Sequence, residues 1–556
     1  METGIDPANK YARAEVERSK HVREILECQS RKKVVVGGPG TGKTLLFREI
    51  LKGKGNCLTL TFVNALVEDL SLELNGLSEV RTLHSFARSL LSRLTKKDIR
   101  IVPKLPEVIK EDAVILLRKE VDFNRLFNER KDESEHIKFY MQRKNYYGDC
   151  YGYSDVIFAA VKYLELHRDK VPGYDQVLVD EFQDFNRLEV SLIELLSEES
   201  PVLVAGDDDQ ALYDFKSAST EHIRSRHGDK ALGYEPFNLP YCSRCTRVIV
   251  QAANDIIESA ANKGCLKGRI DKPFVYFDDK EKDRVSDENP TISYDQVWAT
   301  KIPWAIEKEI GKVARDLRAP FSVLIISPYN IQSRQLTTAL KNKGFEKLES
   351  TEKRPPKEPT LLDGLKLLVI DGKGSLGWRI VAKCLLEEKA FKSVLEETAH
   401  ENARSMYELV GNECRNQIKE MLRVLKKLAR SEPIDENSVE ALKKMDLDPY
   451  NIMRDILAEE LDLESHRLGD PAVRKIPIKA TTIQSSKGLS ADYVFITHFD
   501  DQYLIENEES LTDREVCNFL VALTRARKKV FLISSTKREP TFLKWIQKET
   551  IASSLG

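Results

Sequence analysis

Several features that would narrow the class of a protein are missing from this 556-residue chain. No apolar run approaches the ~20 residues that a membrane-spanning helix needs. The charged amino terminus lacks the apolar core of a signal peptide. The net charge is only −2, so any nucleic-acid binding has to come from a local groove and not from overall charge. These absences favour a cytoplasmic protein, and the length predicts about three or four domains.

Cysteines give no sign of a disulfide framework. There are nine of them, scattered along the chain, and an odd number does not pair completely. Only Cys242 and Cys245 have the CxxC spacing of metal ligands. A tetrahedral zinc or an iron–sulfur cluster needs four ligands, so we interpret this pair as two reduced thiols.

A phosphate-binding loop is the strongest pattern that is present. Residues 34–46 read VVVGGPGTGKTLL, which is a β-branched run, a glycine-rich turn and the start of an apolar helix. Such a turn aims backbone N–H groups at a phosphate, and the helix start favours an anion. The alternative is an ordinary turn between a strand and a helix. The pattern predicts a nucleoside-triphosphate site formed by Gly37, Gly38, Pro39, Gly40, Thr41, Gly42, Lys43 and Thr44.

The chemistry of that site follows from its polar residues. Lys43 would reach the β- and γ-phosphates, and Thr44 would place a hydroxyl on Mg²⁺. An apolar strand at 177–179 ends in Asp180 and Glu181. The first carboxylate is expected to help hold Mg²⁺ and the second to polarise the attacking water. A second apolar strand, at 201–207, precedes Gln210, which either senses the γ-phosphate or caps the next helix.

Other aromatic segments are less specific. Strands are predicted at 57–62 and 80–86, with polar and aromatic residues at their ends, where an aromatic is core more often than a ligand platform. Residues 139–153 (FYMQRKNYYGDCYGY) mix aromatic and basic side chains within a charged helical region, 89–170. This mixture is typical both of single-stranded nucleic-acid binding and of a solvated helical face. The sequence leaves these two readings open.

Several motifs together resemble the UvrD/Rep family of superfamily 1 DNA helicases. They are Asp-Glu-Phe-Gln-Asp at 180–184 and Gly-Asp-Asp-Asp-Gln-Ala-Leu-Tyr-Asp-Phe-Lys at 206–216. Later segments agree in order: 239–249 is similar to the family's segment that supplies a phosphate-binding arginine, here Arg244. The segment 482–489, with Gly488, is similar to the one that couples nucleotide to the DNA strand. The segment 521–527 resembles the family's last motif, whose first arginine, here Arg525, acts as an arginine finger. Both acidic motifs resemble the DNA branch more closely than RNA helicases.

The resemblance implies an α/β fold with two RecA-like parallel-sheet domains, each carrying a mainly helical insertion. The first domain would comprise 1–88 and 171–240, with 89–170 inserted. The second would comprise 241–350 and 476–556, with 351–475 inserted after a polar linker at 351–358. The chain ends about 30 residues after the last arginine motif, so no fused nuclease domain is expected behind it.

The resemblance also implies how the parts work. ATP and Mg²⁺ would lie between the two RecA-like domains, with Glu181, Gln210, Arg244 and Arg525 in catalytic roles. Hydrolysis would require closure of the cleft, and repeated closure would move the domains along a strand. Single-stranded DNA would contact Phe62, Asn64, His84, Tyr213, Phe215 and Lys216. Phe215 and Lys216 replace the family's usual Trp and Arg, which weakens stacking and phosphate contact without removing them.

Three positions depart from the family, and all three concern the base or sugar. No Gln lies at 20–23, where the family reads adenine. Ser243 replaces a Tyr that stacks on the base, and Ser490 replaces an acid after Lys-Gly-Leu. The phosphate-binding residues are intact, so we predict relaxed nucleotide choice.

The expected function is an ATP-dependent helicase that moves 3′-to-5′ on single-stranded DNA and unwinds duplex at single-strand/duplex junctions. One alternative is a translocase that strips proteins or feeds a partner nuclease or repair protein, with little unwinding of its own. The other is a nucleotide-gated sensor of DNA ends that recruits a partner. The sequence does not decide among repair, replication restart, conjugation and phage defence.

Overall fold

The computed structural model describes residues 7–61, 64–148, 150–212, 217–316, 320–350, 358–400, 403–429, 476–507 and 510–555. The described residues divide into two compact units. The catalytic unit, as we call it, draws on 1–85, 167–353 and 466–556, and the insertion unit draws on 86–166 and 354–465. No described helix combines the length and the apolarity that crossing a bilayer would take.

Parallel strands form the framework of the catalytic unit, and two short strands, the fourth and fifth along the chain, pair within the insertion unit. In chain order the strands are β1 Lys32–Gly37, β2 Cys57–Thr61, β3 Glu79–Thr82, β4 Arg100–Ile101, β5 Cys150–Tyr151, β6 Gln176–Val179, β7 Val202–Gly206, β8 Glu235–Leu239, β9 Tyr241–Cys242, β10 Val275–Tyr276, β11 Ile292–Gln296, β12 Val323–Ser327, β13 Leu348–Ser350, β14 Ile478–Thr482, β15 Ala491–Thr497, β16 Ala526–Ser534 and β17 Ile551–Ala552.

Two sheets contain most of these strands. The first has the order β3-β2-β6-β7-β1-β8, and the second has the order β13-β14-β12-β15-β16-β11-β17. All their pairings are parallel. Their central strands are apolar on both faces, as a sheet covered by helices on both sides requires. The predicted α/β class with two parallel sheets is confirmed.

Helices cover both sheets and make up most of the insertion unit. In chain order they are α1 Pro7–Glu27, α2 Lys43–Leu51, α3 Asn64–Leu74, α4 Leu83–Thr95, α5 Leu105–Leu116, α6 Phe123–Asn128, α7 Glu135–Tyr147, α8 Tyr153–Leu166, α9 Arg187–Glu199, α10 Glu221–Gly228, α11 Arg247–Asn262, α12 Lys280–Glu288, α13 Ile302–Asp316, α14 Asn330–Lys341, α15 Leu361–Ile370, α16 Ser375–Leu385, α17 Glu388–Glu397, α18 Met406–Leu409, α19 Asn412–Ala429, α20 Asp501–Leu504, α21 Asp513–Leu523 and α22 Thr541–Trp545.

One predicted strand ends earlier than expected. The strand predicted at 80–86 stops at Thr82, and α4 begins at Leu83. Leu83, Phe86 and Leu90 are buried at helical spacing, so burial of one helix face determines the local structure here. His84 therefore lies in the first turn of a helix and not at a strand end.

The aromatic and basic segment 139–153 packs inside the insertion unit. In α7 the side chains of Tyr140, Arg143, Lys144 and Tyr147 are buried. Arg143 donates to Asp112 with Nε 3.0 Å from Oδ2. Neither reading left open by the sequence describes these residues, because their charges are paired within the core and do not face solvent. The polar linker predicted at 351–358 lies outside the described residues except for its last position.

Candidate nucleotide site

The phosphate loop connects the end of β1 to the start of α2 at the carboxyl edge of the first sheet. Gly40 and Gly42 have φ values of 71° and 91°, which side-chain-bearing residues rarely adopt. Lys43 donates from Nζ to the carbonyl of Gly37 at 2.8 Å. Thr41 donates from its hydroxyl to the carbonyl of Gly38 at 2.9 Å, which fixes the turn. The loop thus directs Lys43 back across its own backbone.

Gly40 also brings Arg244 against the loop. A Cβ at Gly40 would lie 2.2 Å from Cβ of Arg244, so only glycine allows this approach. The backbone N–H of Ser243 donates to the Gly40 carbonyl at 2.9 Å, and its hydroxyl donates to the same oxygen at 3.1 Å. Ser243, where the resemblance expects a base-stacking tyrosine, is therefore tied to the phosphate loop.

Asp180 and Glu181 follow β6, beside the phosphate loop. Glu181 has a φ of 54°, and its N–H donates to Oδ1 of Asp180 at 3.0 Å. Burial, followed by the charge of Glu181, raises the pKa of Asp180 to about 7. Burial also acts to raise the pKa of Glu181, but Lys487 and Lys43 outweigh it and lower that pKa to about 2. The negative charge of the pair is therefore held mainly on Glu181 near neutral pH.

A chain of hydrogen bonds joins Gln210 to Arg525. Nε2 of Gln210 donates to Oδ2 of Asp207 at 2.6 Å, and Oε1 of Gln210 accepts from Nη2 of Arg525 at 2.7 Å. Arg525 is 2% exposed. Its burial, with the positive charge of Arg244, lowers its pKa to about 10, so the guanidinium stays protonated at neutral pH. Gln210, which follows β7 of the first sheet, thus orients an arginine that precedes β16 of the second.

Lys487 makes a second link between the two sheets. Its Nζ donates to the Gln210 carbonyl at 2.7 Å, lies 3.6 Å from Oε2 of Glu181 and forms an ion pair with Asp184. Burial raises the pKa of Asp184 to about 6, against the opposing charge of Lys487. The positive charge of Lys487 is therefore placed beside the acid pair.

The phosphate loop, the acid pair, Gln210 and the two arginines line one cavity of about 720 Å³. Its lining includes every residue proposed above for ATP, Mg²⁺ or hydrolysis apart from Gly37 and Gly38: Pro39, Gly40, Thr41, Gly42, Lys43, Thr44, Asp180, Glu181, Gln210, Arg244, Gly488 and Arg525. The volume is typical of ligand sites, and four basic side chains, with Arg527 as the fourth, suit a triphosphate. The hydroxyl of Thr44 and the carboxylate of Asp180 are oxygen ligands of the kind that Mg²⁺ prefers. The residues present fit both groups.

Two family descriptions match the chain. Residues 107–230 match the UvrD/REP helicase N-terminal domain, and residues 383–537 match the UvrD-like helicase C-terminal domain. The matched ranges together span half of the chain and include the acid pair, Gln210 and Arg525. The chain belongs to the UvrD/Rep-like family of superfamily 1 helicases.

Relatives within this family agree over part of the chain. DNA helicase II of Escherichia coli is 28% identical over 298 residues, which cover 45% of this chain and 41% of that protein. A probable DNA helicase of Mycoplasma pneumoniae is 23% identical, covering 43% and 56%. An ATP-dependent helicase/nuclease subunit of Lactococcus lactis is 27% identical over 142 residues, covering 25% and 12%. The chain thus spans about two fifths to just over half of the length of the first two relatives.

The residues predicted to contact DNA are only partly described in this UvrD/Rep-like chain. Phe62, Tyr213, Phe215 and Lys216 lie outside the described residues, and for Asn64 only the backbone is described, at the start of α3. His84 is half-buried in α4. Asn64 and His84 follow β2 and β3, which are adjacent, so the structure brings their backbones to the same edge of the first sheet. His84, whose side chain is described, does not line the 720 Å³ cavity.

Two basic side chains in or beside the site were not among the predicted site residues. Lys487 lies in the Lys-Gly-Leu segment, in which the family resemblance implies a role for Gly488 only. Arg527 lines the cavity and donates from Nη2 to the hydroxyl of Ser490 at 2.9 Å. The replacement of an acid by Ser490 therefore leaves Arg527 held by a neutral hydroxyl.

Proposed function

We propose that this protein hydrolyses ATP with Mg²⁺ and uses the energy to move 3′-to-5′ along single-stranded DNA and unwind duplex. The observation that supports this most is the presence of Lys43, from the first sheet's phosphate loop, and Arg525, from the second sheet's edge, in the lining of one cavity. An arginine supplied across a cleft contributes about 10³–10⁵ in the rate of phosphoryl transfer. Hydrolysis is therefore sensitive to how the two sheets are placed.

Each residue has a proposed task. Lys43, Arg244 and Arg525 bind the phosphates, and the charge that develops on them in the transition state is stabilised by the two arginines. Thr44 and Asp180 would hold Mg²⁺, which would supply positive charge against that of the phosphates. Glu181, anionic near neutral pH, accepts the proton of the attacking water.

The motor step follows from the links between the sheets. Gln210 and Arg525 are hydrogen-bonded across them, and loss of the γ-phosphate removes a charge that attracts Arg244 and Arg525 towards Lys43. The two sheets would then separate and close again with the next nucleotide. A strand held by aromatic stacking, worth ~1–3 kcal/mol per base, would be moved by this cycle without regard to sequence.

A second candidate is a translocase that serves a partner nuclease and unwinds little by itself. The similarity to the helicase/nuclease protein of Lactococcus lactis favours it, although the match covers a quarter of this chain. In this case the nucleotide site and the strand contacts are the same, and only the fate of the duplex differs.

Three measurements on the purified chain test these proposals. Hydrolysis of ATP should be stimulated by single-stranded DNA, and streptavidin should be displaced from a 5′-biotin but not from a 3′-biotin. A duplex with a 3′ tail should be separated. Stimulation and displacement without strand separation would support the translocase, and displacement from the 3′ end would contradict the proposed direction. The absence of strand-stimulated hydrolysis would leave only the end sensor.

Lys43→Ala provides the matched negative variant. Its ammonium is the loop's own phosphate ligand, so hydrolysis and displacement should both be lost. Lys52→Ala is the control, because Lys52 is exposed just after the same helix and its ammonium pairs with Glu49, away from the cavity. Hydrolysis retained by Lys43→Ala would remove this cavity from the proposal.

A further inference from the structure

Lys272 is a buried cation outside the nucleotide cavity. Its side chain is 3% exposed and lies in the segment between α11 and β10. Nζ lies 3.1 Å from Oδ1 of Asp207 and 2.9 Å from Oδ2 of Asp209, and it forms an ion pair with Asp208. It does not line the 720 Å³ cavity. One ammonium thus contacts three consecutive carboxylates, which we call the aspartate cluster (Asp207–Asp209).

Two arginines complete the charge balance of the aspartate cluster. Nε of Arg269 lies 2.8 Å from Oδ1 of Asp209, and Nε of Arg224 lies 3.0 Å from Oδ2 of Asp208. Asp207 has no arginine partner among the described ion pairs, so Lys272 is the cation closest to it. A buried carboxylate without a partner is strongly unfavourable, and Asp207 therefore depends on Lys272 for its charge and position.

The aspartate cluster has the geometry of a cation site. Oxygens from its three carboxylates lie within 4.8 Å of one another, which is close enough for a single metal ion. The ammonium of Lys272 stands where such an ion would be. The chain thus supplies its own cation, covalently attached, at this place.

Lys272 and the hydrolytic groups meet on opposite oxygens of one carboxylate. Oδ1 of Asp207 faces Lys272, and Oδ2 accepts from Gln210, which in turn accepts from Arg525. The Lys272 segment is also fixed to the phosphate loop, because a Cβ at Gly38 would lie 2.7 Å from the ring of Phe274. Movement of the ammonium is therefore transmitted to the carboxamide that orients Arg525.

We propose that Lys272 is a positioning residue for triphosphate hydrolysis, acting as a tethered cation that holds Asp207 so that Gln210 presents its oxygen to Arg525. This inference rests on the proposed function, since it assigns Lys272 a part in hydrolysis. Under this proposal, Lys272 itself contacts neither the nucleotide nor Mg²⁺. Its removal should therefore affect the chemical step more than nucleotide binding.

The test compares Lys272→Ala and Lys272→Met with the unaltered chain in DNA-stimulated ATP hydrolysis. A misplacement of about 1 Å in a catalytic group costs about a hundredfold, so kcat should fall by about that factor while KM changes less than about threefold. Lys267→Ala is the control, because Lys267 is exposed in the same segment. Unchanged kcat in either folded neutral variant would overturn the proposal.

Rescue separates charge from packing. Propylammonium chloride fits the space left in Lys272→Ala and should raise the kcat of this variant at least tenfold. Tetramethylammonium chloride at equal ionic strength should not, and neither salt should rescue Lys272→Met, whose side chain fills the space. Equal effects of both salts on Lys272→Ala would assign Lys272 a structural role only.

Ion binding tests the cluster without hydrolysis. Titration with Mn²⁺, followed by electron paramagnetic resonance without nucleotide, should show one more bound ion per molecule in Lys272→Ala than in the unaltered chain. The same number of bound Mn²⁺ ions in both proteins would contradict the claim that Lys272 acts as a tethered cation. If the unaltered chain hydrolyses no triphosphate, the proposed function fails, and the Mn²⁺ result still decides whether Lys272 occupies a cation site.

Discussion

Each of the two units contains a buried cluster of paired carboxylates and basic side chains, and the two clusters differ in what they connect to. In the catalytic unit the aspartate cluster is linked through Gln210 to Arg525, whose side chain lines the nucleotide cavity. In the insertion unit Asp112 is fully buried and accepts from Arg143 and Arg379 at 3.0 Å each. We call this second set, with Tyr147, the Asp112 cluster.

The two clusters differ in where their hydrogen bonds end. In the Asp112 cluster the remaining donors are satisfied internally: Arg143 donates to the carbonyl of Thr398 at 3.1 Å, and Arg379 pairs with Glu111 at 2.8 Å. The aspartate cluster instead leads to an arginine at a cavity wall. Buried ion pairs are weak evidence for net stabilisation, but removal of one partner is costly in either case. Arg525 bonds the neutral Gln210 and is not a partner in an ion pair of the aspartate cluster. We therefore predict lost catalysis when Arg525 is removed and lost stability when Asp112 is changed.

Arg525→Ala should give the largest effect. The guanidinium lines the cavity opposite Lys43, so kcat for ATP should fall by about 10³–10⁵ while the free energy of unfolding changes little. Stopped-flow hydrolysis and urea unfolding measure the two quantities. Arg514→Ala, an exposed arginine in α21, is the control. A fall in stability without loss of kcat would show that Arg525, like the Asp112 cluster, serves stability and not catalysis.

Glu181→Gln should be next in size. The carboxylate is held anionic beside Lys487, and its replacement by an amide removes the proton acceptor, which is worth about 10²–10⁴ in rate. Binding of a fluorescent ATP analogue should persist, with the nucleotide trapped unhydrolysed. Glu199→Gln, exposed at the end of α9, should behave as the unaltered chain. Normal turnover in Glu181→Gln would remove the water-activating role.

Asp112→Asn tests the other side of the comparison. It leaves two buried arginines without their carboxylate, so the insertion unit should lose about 3–5 kcal/mol of stability. Trp378, 2% exposed beside Arg379, reports the transition by fluorescence. Glu107→Gln, exposed on the same helix, is the control. Since Asp112 lies outside the nucleotide cavity, kcat of the folded variant should be unchanged, and a large loss of kcat would break the comparison.

Local patterns were sufficient to predict much of the nucleotide site. The phosphate loop, the acid pair after β6 and the arginine before β16 each lie within a short stretch whose strand, turn or helix is evident from its residues. The carboxyl ends of parallel strands meet at one edge of a sheet, so these stretches converge once the fold class is known. Their roles in hydrolysis remain predictions.

The two charge clusters could not be predicted from the sequence, and the reason is physical. Lys272 is 64 residues from Asp208, and Arg379 is 267 residues from Asp112. A charged side chain is ordinarily solvated, and it is buried only when a distant partner is brought to it by the fold. This is why residues 139–153 were interpreted either as a surface that binds single-stranded nucleic acid or as a solvated helical face, although Arg143 is buried in the core of the insertion unit.

The smallest effect is expected when ATP is replaced by another nucleotide. This prediction compares two parts of the catalytic unit, the phosphate end of the cavity and the space where the base would lie. The phosphate end of the cavity is surrounded by paired charges, whereas beside Thr41 a small space is lined by Arg18, His21 and Tyr241. No glutamine is among the described residues that line this space, so none there matches the hydrogen-bonding edge of adenine. Strong discrimination between bases requires such matched polar groups. The values of kcat/KM for ATP, GTP and CTP should therefore agree within about tenfold in steady-state assays. A much larger preference for ATP that is lost in Tyr241→Ala would contradict this and assign base recognition to the tyrosine, whose ring lies 5.9 Å from that of His21.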